Sequence, residues 1–349
     1  MISNREHAYL TVVRRSGVKP ARQLKAGALV VLCPACPQIE INMDPEWKER
    51  PWYLRFLDAI FHAIDGNFQS NQKVKPLDRN DTALTGGASY FADTNDFAKY
   101  QKTLGPMEPE VLQRANGLGR CYGNYWGQVA GTLGVSCSRH MFVLPGGGVD
   151  LQKGERFVNV DYALASALQR WMGLHMHHCI HWDEQIATLR KAVRGFPSLT
   201  NLIFPTTLLG VGKFHLPAHI AACRYKFSFN YLPGSGRGDG EAQERIWSTL
   251  NALAASTKEM MSGYQHDRIN DHHGDMNFRR TVGLHDCSNA QETQGGVGDA
   301  VEDTERSMQA ETLKAWKEEE VDWKMKVVNI ENHKTLHNPY EPTPKAAGK

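Results

Sequence analysis

The sequence predicts an α/β fold, because buried strands in the first half of the chain are followed by a late amphipathic helix. The apolar run from Ile60 to Ile64 has the composition of a buried strand, and it ends on Asp65. A second run, "VSCSRHMFVLPGGGVD" at 135–150, predicts a strand that enters a glycine turn. Further along, a glycine-rich bend leads into a helix that begins near Glu241.

The helix that begins at Glu241 separates apolar and polar residues onto two faces. At 100° per residue, one face carries Ile246, Trp247, Leu250, Leu253 and Ala254. The opposite face carries Glu241, Glu244, Arg245 and Ser248. We expect the apolar face to pack on the sheet and the acids to face a groove. A solvated face, with acids placed at the positive end of the helix dipole, is the alternative.

The remaining patterns divide the chain into four parts. They are a basic N-terminal segment (1–50), a core with insertions (51–284), a linker (285–300) and an acidic helix with a loose tail (301–349). The N-terminal segment is predicted to be helical to about residue 30, and 76–134 to be irregular or inserted. Another helix is predicted within 159–173. The apolar side of the last helix would carry Leu313, Trp316, Trp323 and Val327.

Composition excludes several classes of protein. Of 349 residues, 41% are apolar and 22% charged, which rules out wholesale disorder. No apolar run approaches the roughly 20 residues that a membrane-spanning helix needs. A net charge of +2 does not by itself predict nucleic-acid binding. Because the N-terminus lacks the apolar core of a secretory signal, we expect a reducing compartment and seven cysteines that are thiols or metal ligands.

Cysteine and histidine spacing suggests two zinc sites. Cys33 and Cys36 form a C-x-x-C half site, and Cys137 and His140 form a C-x-x-H half site, which together would make a tetrahedral set. A second set would consist of His215, His219 and Cys223, although Pro217 interrupts regular helix there. Buried thiols and hydrogen-bonded core histidines are the alternative for both sets.

Eight stretches of the chain resemble the motifs of the Kyakuja-Dileera-Zisupton (KDZ) transposases of fungal mobile elements. They occur in the family's order: "CPACP" (33–37), "AIDGNF" (63–68), "DLQKGERFVNVDY" (150–162), "KFHLPAHIAAC" (213–223), "FSFNYLPGSGRGDGEAQERIW" (227–247), "ASTKEM" (255–260), "HDRINDHHGDMNFRR" (266–280) and "NPYE" (338–341). The resemblance implies a ribonuclease-H-like core of the DDE transposase and integrase type, with inserted and flanking helical segments. It also implies that "CPAC" borders a cysteine-cluster domain that this chain has lost.

The resemblance assigns metal-binding roles to particular acids. DDE transposases, which this family resembles, hold Mg²⁺ or Mn²⁺ with two aspartates and a glutamate. Two such ions roughly 4 Å apart promote in-line attack on a phosphodiester. Carried over by motif, Asp65 is the first aspartate and Glu241 the glutamate, with Glu244 a nearby substitute.

The middle aspartate of the family pattern is missing at the matching position. The family has a motif similar to "SYDIACQW", and its aspartate falls on His177 of "MHHCIHW" at 176–182. Imidazole is a poor ligand for Mg²⁺, so this departure predicts weak or absent cleavage. Asp183 could replace the aspartate only if the strand took another course, because six residues of strand span roughly 20 Å.

The resemblance implies a nuclear protein whose partner is DNA, both transposon ends and target, and it allows a homo-oligomer. Contacts with phosphate would come from a basic cluster and from a second set of arginines, both of which ordinary solvated surface explains equally well. The cluster is Arg14, Arg15, Lys19, Arg22 and Lys25, and the second set is Arg268, Arg279 and Arg280. The alternative to a transposase is a catalytically inactive, zinc-stabilised DNA-binding remnant.

Overall fold

The computed structural model of the chain describes residues 4–18, 24–76, 78, 80–103, 127–152, 157–171, 176–179, 207–219, 224, 226–236, 238–284, 306, 309–327 and 336. The described part contains both β-strands and α-helices, numbered here in chain order. The strands are β1 (Ile60–Asn67), β2 (Gly131–Cys137), β3 (Val149–Leu151), β4 (Met176–Cys179) and β5 (Thr207–Gly210). The α-helices are α1 (Asn4–Ser16), α2 (Thr94–Thr103), α3 (Phe157–Leu168), α4 (Ala242–Leu250), α5 (Ala254–Thr257), α6 (Ser262–Gly283) and α7 (Ala310–Val327).

The five strands form one mixed sheet in the order β3-β2-β1-β4-β5. β1 pairs antiparallel with β2, and β2 pairs antiparallel with β3. On its other side β1 pairs parallel with β4, and β4 pairs parallel with β5. β1 therefore lies at the centre, which explains why its first five residues are all buried. The α/β prediction is confirmed, in the form of a mixed sheet with helices.

Helices cover both faces of the sheet. Val135 on β2 belongs to the same core cluster as Leu164 and Leu168 of α3. The next residue towards the start of β2, Gly134, faces the other way, and a side chain there would strike the ring of Trp247 on α4. Because Asp65 is the β1 partner of Gly134, Asp65 lies on the α4 face of the sheet.

α6 packs through a stripe of buried polar residues rather than an apolar face. His266, Asn270, His273 and Asn277 recur at helical spacing, and all are at most 5% exposed. Asn270 Oδ1 accepts from the backbone N–H groups of Tyr90 and Phe91 at 3.1 and 3.2 Å. Asn277 accepts from the N–H of Val143 at 3.0 Å and donates to the carbonyls of Val31 and Val143. The helix thus satisfies backbone groups in segments that lie outside the five named strands.

Several predicted boundaries were wrong. The first helix ends at Ser16 rather than near residue 30, and the segment 76–134 contains α2 and the start of β2. The helix after Glu241 ends at Leu250, where a 3₁₀ turn follows. On α7, Trp323 is buried as predicted, but Trp316 is 58% exposed and does not belong to a packed face. The predicted linker 285–300 lies outside the described residues.

Among the described residues, no helix has both the length and the apolar character that crossing a bilayer requires.

Candidate metal centres

Three cysteines and a histidine converge where the N-terminal segment meets the end of β2. Cys33 and Cys36 come from the turn before the sheet, Cys137 ends β2, and His140 follows in the next turn. That turn is tight, because Cys137 exchanges backbone hydrogen bonds with Met141 and Phe142, and Met141 adopts a left-handed φ of 59°. The three cysteines are buried and His140 is half-buried.

The donor atoms of this cluster lie at spacings that suit one zinc ion. His140 Nδ1 is 3.3 Å from Cys33 Sγ, 3.9 Å from Cys36 Sγ and 3.4 Å from Cys137 Sγ. Cys36 Sγ and Cys137 Sγ are 3.2 Å apart, and all four atoms lie within 4.8 Å of one another. A tetrahedron with Zn–S bonds of about 2.3 Å has edges of roughly 3.5–3.8 Å. The Cys₃His cluster therefore fits a structural zinc ion.

The charge state of the cluster also favours a cation. Hydrogen bonds from Cys33 and Cys36 lower the pKa of Cys137 well below its usual value. Hydrogen bonds to Cys137 and Cys33 raise the pKa of His140 to about 10, against the effect of burial. A zinc ion bound here would take Cys137 as a thiolate and would displace the proton from His140.

A second cluster, the carboxylate cluster, consists of His215, Glu241 and Glu244, with Asp65 adjacent. The donor atoms of His215, Glu241 and Glu244 lie within 4.8 Å of one another. His215 Nε2 is 3.4 Å from Glu244 Oε1 and 3.8 Å from Glu241 Oε2. Glu241 is the N-cap residue of α4 and Glu244 lies on its first turn, while His215 precedes the 3₁₀ turn Leu216–Ala218.

Glu241 is held in place by the loop that carries His215. Its Oε1 accepts from the backbone N–H of Phe214 at 2.8 Å. Gly212 lies directly against the same oxygen, and a Cβ there would overlap it. Its other oxygen, Oε2, is buried and makes no hydrogen bond among the described residues. A buried carboxylate oxygen without a donor is a position that a cation would satisfy.

Asp65 reaches the same region from the sheet. The indole N–H of Trp247 donates to Asp65 Oδ2 at 3.1 Å, which fixes the carboxylate against α4. Burial, followed by the nearby charge of Glu244, raises the pKa of Asp65 to about 7. Burial also raises the pKa of Glu241. The acid on the early strand and the acids on the late helix are thus electrostatically coupled.

A protein-family model described as KDZ, the Kyakuja-Dileera-Zisupton transposases, matches residues 58–277, which is more than half of the chain. This chain belongs to the KDZ transposase family. Membership implies a transposase-like function and a DNA partner. No curated protein and no solved structure matches the chain significantly.

Two members of the predicted second zinc set lie within the described residues. His215 lies against the carboxylates of Glu241 and Glu244. His219 follows the 3₁₀ turn and belongs to neither of the two clusters found among the described residues. Cys223 lies outside the described residues.

His177, which occupies the position of the family's middle aspartate, does not lie opposite Asp65 in the sheet. His177 on β4 pairs with Phe61, four residues before Asp65, which is roughly 13 Å along a strand. Asp183 lies outside the described residues. The third carboxylate near Asp65 and Glu241 is instead Glu244, from the same helix turn as Glu241.

Four of the arginines predicted to contact phosphate make contacts within the chain. Arg268 pairs with Asp271 at 3.0 Å, and Arg279 pairs with Asp275 at 2.7 Å. Arg15 also pairs with Asp275, and Arg280 donates to the carbonyl of Met141. The contacts of Arg15 and Arg280 tie α1 and the turn after β2 to α6. The pairs of Arg268 and Arg279 are exposed, as in the alternative of an ordinary solvated surface, while Lys19 and Arg22 lie outside the described residues.

The sequence analysis did not predict three contacts that the structure shows. It assigned Trp247 only to the apolar face of its helix, although the indole also donates to Asp65. It did not join His215 to the glutamates. It also missed the buried pair of His266 and Asp150, at 2.9 Å, which links α6 to β3. The motifs quoted above contain all of these residues, but the spacing within one motif does not show which other motif it contacts in the fold.

Proposed function

We propose that the chain is a transposase-derived nuclease that cleaves DNA in the nucleus, with a divalent cation held by Asp65, Glu241 and Glu244. The observation that carries this proposal is that the donor atoms of His215, Glu241 and Glu244 lie within 4.8 Å of one another, next to Asp65 on β1. Burial, followed by the charge of Glu244, raises the pKa of Asp65 to about 7. Acids from distant parts of a chain are costly to bring together unless a cation or proton offsets their repulsion. The buried Oε2 of Glu241 gives independent support.

The sheet topology supports a ribonuclease-H-like core. Three strands in antiparallel order, β1 to β3, are extended on the β1 side by two parallel strands, β4 and β5. Such a core places one acid on the central strand and another on a helix that crosses the sheet. The position of Asp65 on β1 and of Glu241 at the N-cap of α4 supports the assignment of these two roles.

The chain's own groups would prepare the cation site. Trp247 holds Asp65, and Phe214 holds Glu241 through its backbone N–H. His215 would be a fourth donor, which suits Mn²⁺ better than Mg²⁺. When bound, Mg²⁺ or Mn²⁺ would activate a water or 3′-hydroxyl and stabilise the leaving oxygen during attack on a phosphodiester. Because Glu244, rather than a strand aspartate, is the third acid, we expect slow cleavage.

A zinc ion in the Cys₃His cluster would have a structural role. The cluster fastens the N-terminal segment to the end of β2, three residues beyond Gly134, the strand partner of Asp65. Loss of that ion would loosen the strand that supports the carboxylate cluster.

The test is a supercoiled-plasmid nicking assay with Mg²⁺ and with Mn²⁺, paired with Mn²⁺ binding measured by electron paramagnetic resonance. We expect slow nicking in Mn²⁺ that falls at least 100-fold in Asp65→Ala and Glu241→Gln. Glu318→Gln, an exposed acid on α7, is the control. If the unaltered chain neither nicked the plasmid nor bound Mn²⁺ tightly, the proposal would be wrong. If that protein still bound DNA, the zinc-stabilised DNA-binding remnant would be the better description.

A further inference from the structure

Phe214 stands beside the carboxylate cluster with most of its ring in solvent. It is 78% exposed, the largest fraction among the large hydrophobic residues of the described part of the chain. Single exposed hydrophobic residues are common on protein surfaces. The position and rigidity of this one set it apart.

The backbone around Phe214 is fixed by hydrogen bonds on both sides. Its own N–H donates to Glu241 Oε1 at 2.8 Å, and the N–H of Lys213 donates to the carbonyl of Asp239 at 2.8 Å. The N–H groups of His215 and Leu216 both donate to the carbonyl of Gly212, at 3.0 and 2.9 Å. An aromatic ring on such a turn loses little conformational entropy when a ligand packs on it.

The same turn joins the ring to the candidate cation site. Phe214 packs edge-on against His215, with ring centroids 5.6 Å apart, and His215 in turn contacts Glu244. Gly212, at the start of the turn, touches Glu241. A nucleotide whose phosphate lay at the carboxylates would therefore have its base, or that of its neighbour, within reach of the exposed ring.

We propose that Phe214 stacks on an unpaired base of DNA next to the phosphodiester held at the carboxylate cluster. This inference rests on the proposed function, because it takes the phosphate position from that site. Every base offers a flat π face, so the contact would favour single-stranded or splayed DNA without selecting its sequence. The ring would determine which nucleotide is positioned for cleavage.

The experiment uses a 15-nucleotide oligothymidylate with one central 2-aminopurine, whose fluorescence is quenched when the base stacks. A fluorescein-labelled copy reports binding by anisotropy in Mn²⁺ buffer. The variants are Phe214→Ala and, as a rescue, Phe214→Trp. Trp316→Ala, which removes an aromatic side chain that is 58% exposed on α7, is the matched control. Circular dichroism checks that each variant is folded.

We expect Phe214→Ala to bind the oligonucleotide roughly 10- to 100-fold more weakly and to lose the quenching. Phe214→Trp should restore both, and Trp316→Ala should change neither. Unchanged affinity and quenching in Phe214→Ala, or binding of duplex DNA alone, would overturn the inference. Mn²⁺ binding, measured separately, should persist in Phe214→Ala, because alanine keeps the backbone N–H that donates to Glu241. If the proposed function is wrong, neither the unaltered chain nor Phe214→Ala should bind Mn²⁺. If only this inference is wrong, both should bind Mn²⁺, and Phe214→Ala should bind the oligonucleotide as the unaltered chain does.

Discussion

Trp247 donates its indole N–H to the carboxylate of Asp65 at 3.1 Å, across 182 residues of sequence. One residue lies on the central strand and the other on the helix that covers it. The same tryptophan ring lies against Gly134, the neighbour of Asp65 across the sheet. A single side chain thus sets both the distance between helix and sheet and the orientation of the acid.

Replacing Trp247 with Phe should destabilise the chain and disturb Asp65. The variant keeps an aromatic ring but removes the indole donor of the half-buried carboxylate, which costs about 1–3 kcal/mol. Urea unfolding measures the loss. Ser248→Ala, on the exposed face of the same helix, is the control and should change stability by less than about 0.5 kcal/mol. Equal stability of Trp247→Phe and the unaltered protein would show that the hydrogen bond has no structural importance.

Asp65 should make stability fall with rising pH when Mg²⁺ and Mn²⁺ are withheld. Its pKa is raised from 3.8 to about 7, first by burial and then by Glu244, so the folded chain holds a proton that the unfolded chain releases. The associated stability is fully present below pH 4 and is lost as pH rises to 7. Asp65→Asn removes this effect. The variant should gain on the unaltered chain by up to about 1.4 kcal/mol per pH unit between pH 4 and 7.

Urea unfolding at pH 5, 6, 7 and 8 tests this difference. Asp322→Asn, an exposed acid on α7, is the control, and its stability should follow that of the unaltered chain at every pH. Parallel curves for Asp65→Asn and the unaltered chain would mean that Asp65 ionises normally.

The strand around Asp65 and the first turns of α4 were predictable because their patterns are local. A run of apolar residues indicates a buried strand, and Ile246, Trp247 and Leu250 share one face of a helix whatever lies opposite. The zinc cluster was predictable for a similar reason. Each half site has its own short spacing, and pairing two half sites leaves few choices.

The position of His215 and the packing of α6 were not predictable in this way. Local spacing grouped His215 with His219 and Cys223, whereas its neighbours Glu241 and Glu244 lie about 25 residues further along the chain. On α6, buried His266 and Asn277 have partners from segments more than 100 residues away. The spacing of polar residues on a helix does not show whether distant backbone groups will form hydrogen bonds with them. From sequence alone, the polar stripe of α6 therefore resembles a solvated face or a turn.

His215 should make the carboxylate cluster prefer Mn²⁺ to Mg²⁺. Transition-metal ions accept an imidazole donor more readily than Mg²⁺, which favours oxygen ligands and keeps its waters. We expect at least 10-fold tighter binding of Mn²⁺ by calorimetry, and a smaller ratio in His215→Asp. His219→Asp should leave the ratio unchanged, since His219 belongs to neither cluster. A ratio near one in the unaltered protein would remove His215 from the set of ligands.

Cys137→Ser should abolish stoichiometric zinc and lower the melting temperature. Cys137 ends β2 and contacts Cys36 and His140, so its loss opens the tetrahedral set at the sheet. Plasma mass spectrometry should find about one zinc per unaltered chain and none in the variant. Cys287→Ser, which changes a cysteine outside the four-residue cluster, should keep the metal. Zinc-free protein with unchanged melting behaviour would show that the four residues form an ordinary thiol core.

Asp150→Asn should be among the most destabilising substitutions outside the two clusters. His266 is buried and lies 2.9 Å from Asp150, with its ring stacked on Phe91 at a centroid distance of 4.1 Å. Burial alone lowers the pKa of His266, but the charge and hydrogen bond of Asp150 outweigh that effect and raise it. Removing one partner of a buried pair costs about 3–5 kcal/mol.

The pH dependence separates this pair from simple packing. Because the pKa of His266 is raised, the pair's stabilisation is complete below about pH 6.5 and is lost as pH rises through the folded-state pKa of His266. Unfolding experiments should therefore show a larger deficit for Asp150→Asn at pH 6 than at pH 9. Asp271→Asn breaks a surface pair on the same helix and should cost less than about 1 kcal/mol at either pH. A deficit for Asp150→Asn that did not change with pH would mean that His266 is neutral in the folded chain and that Asp150 acts only as a hydrogen-bond acceptor.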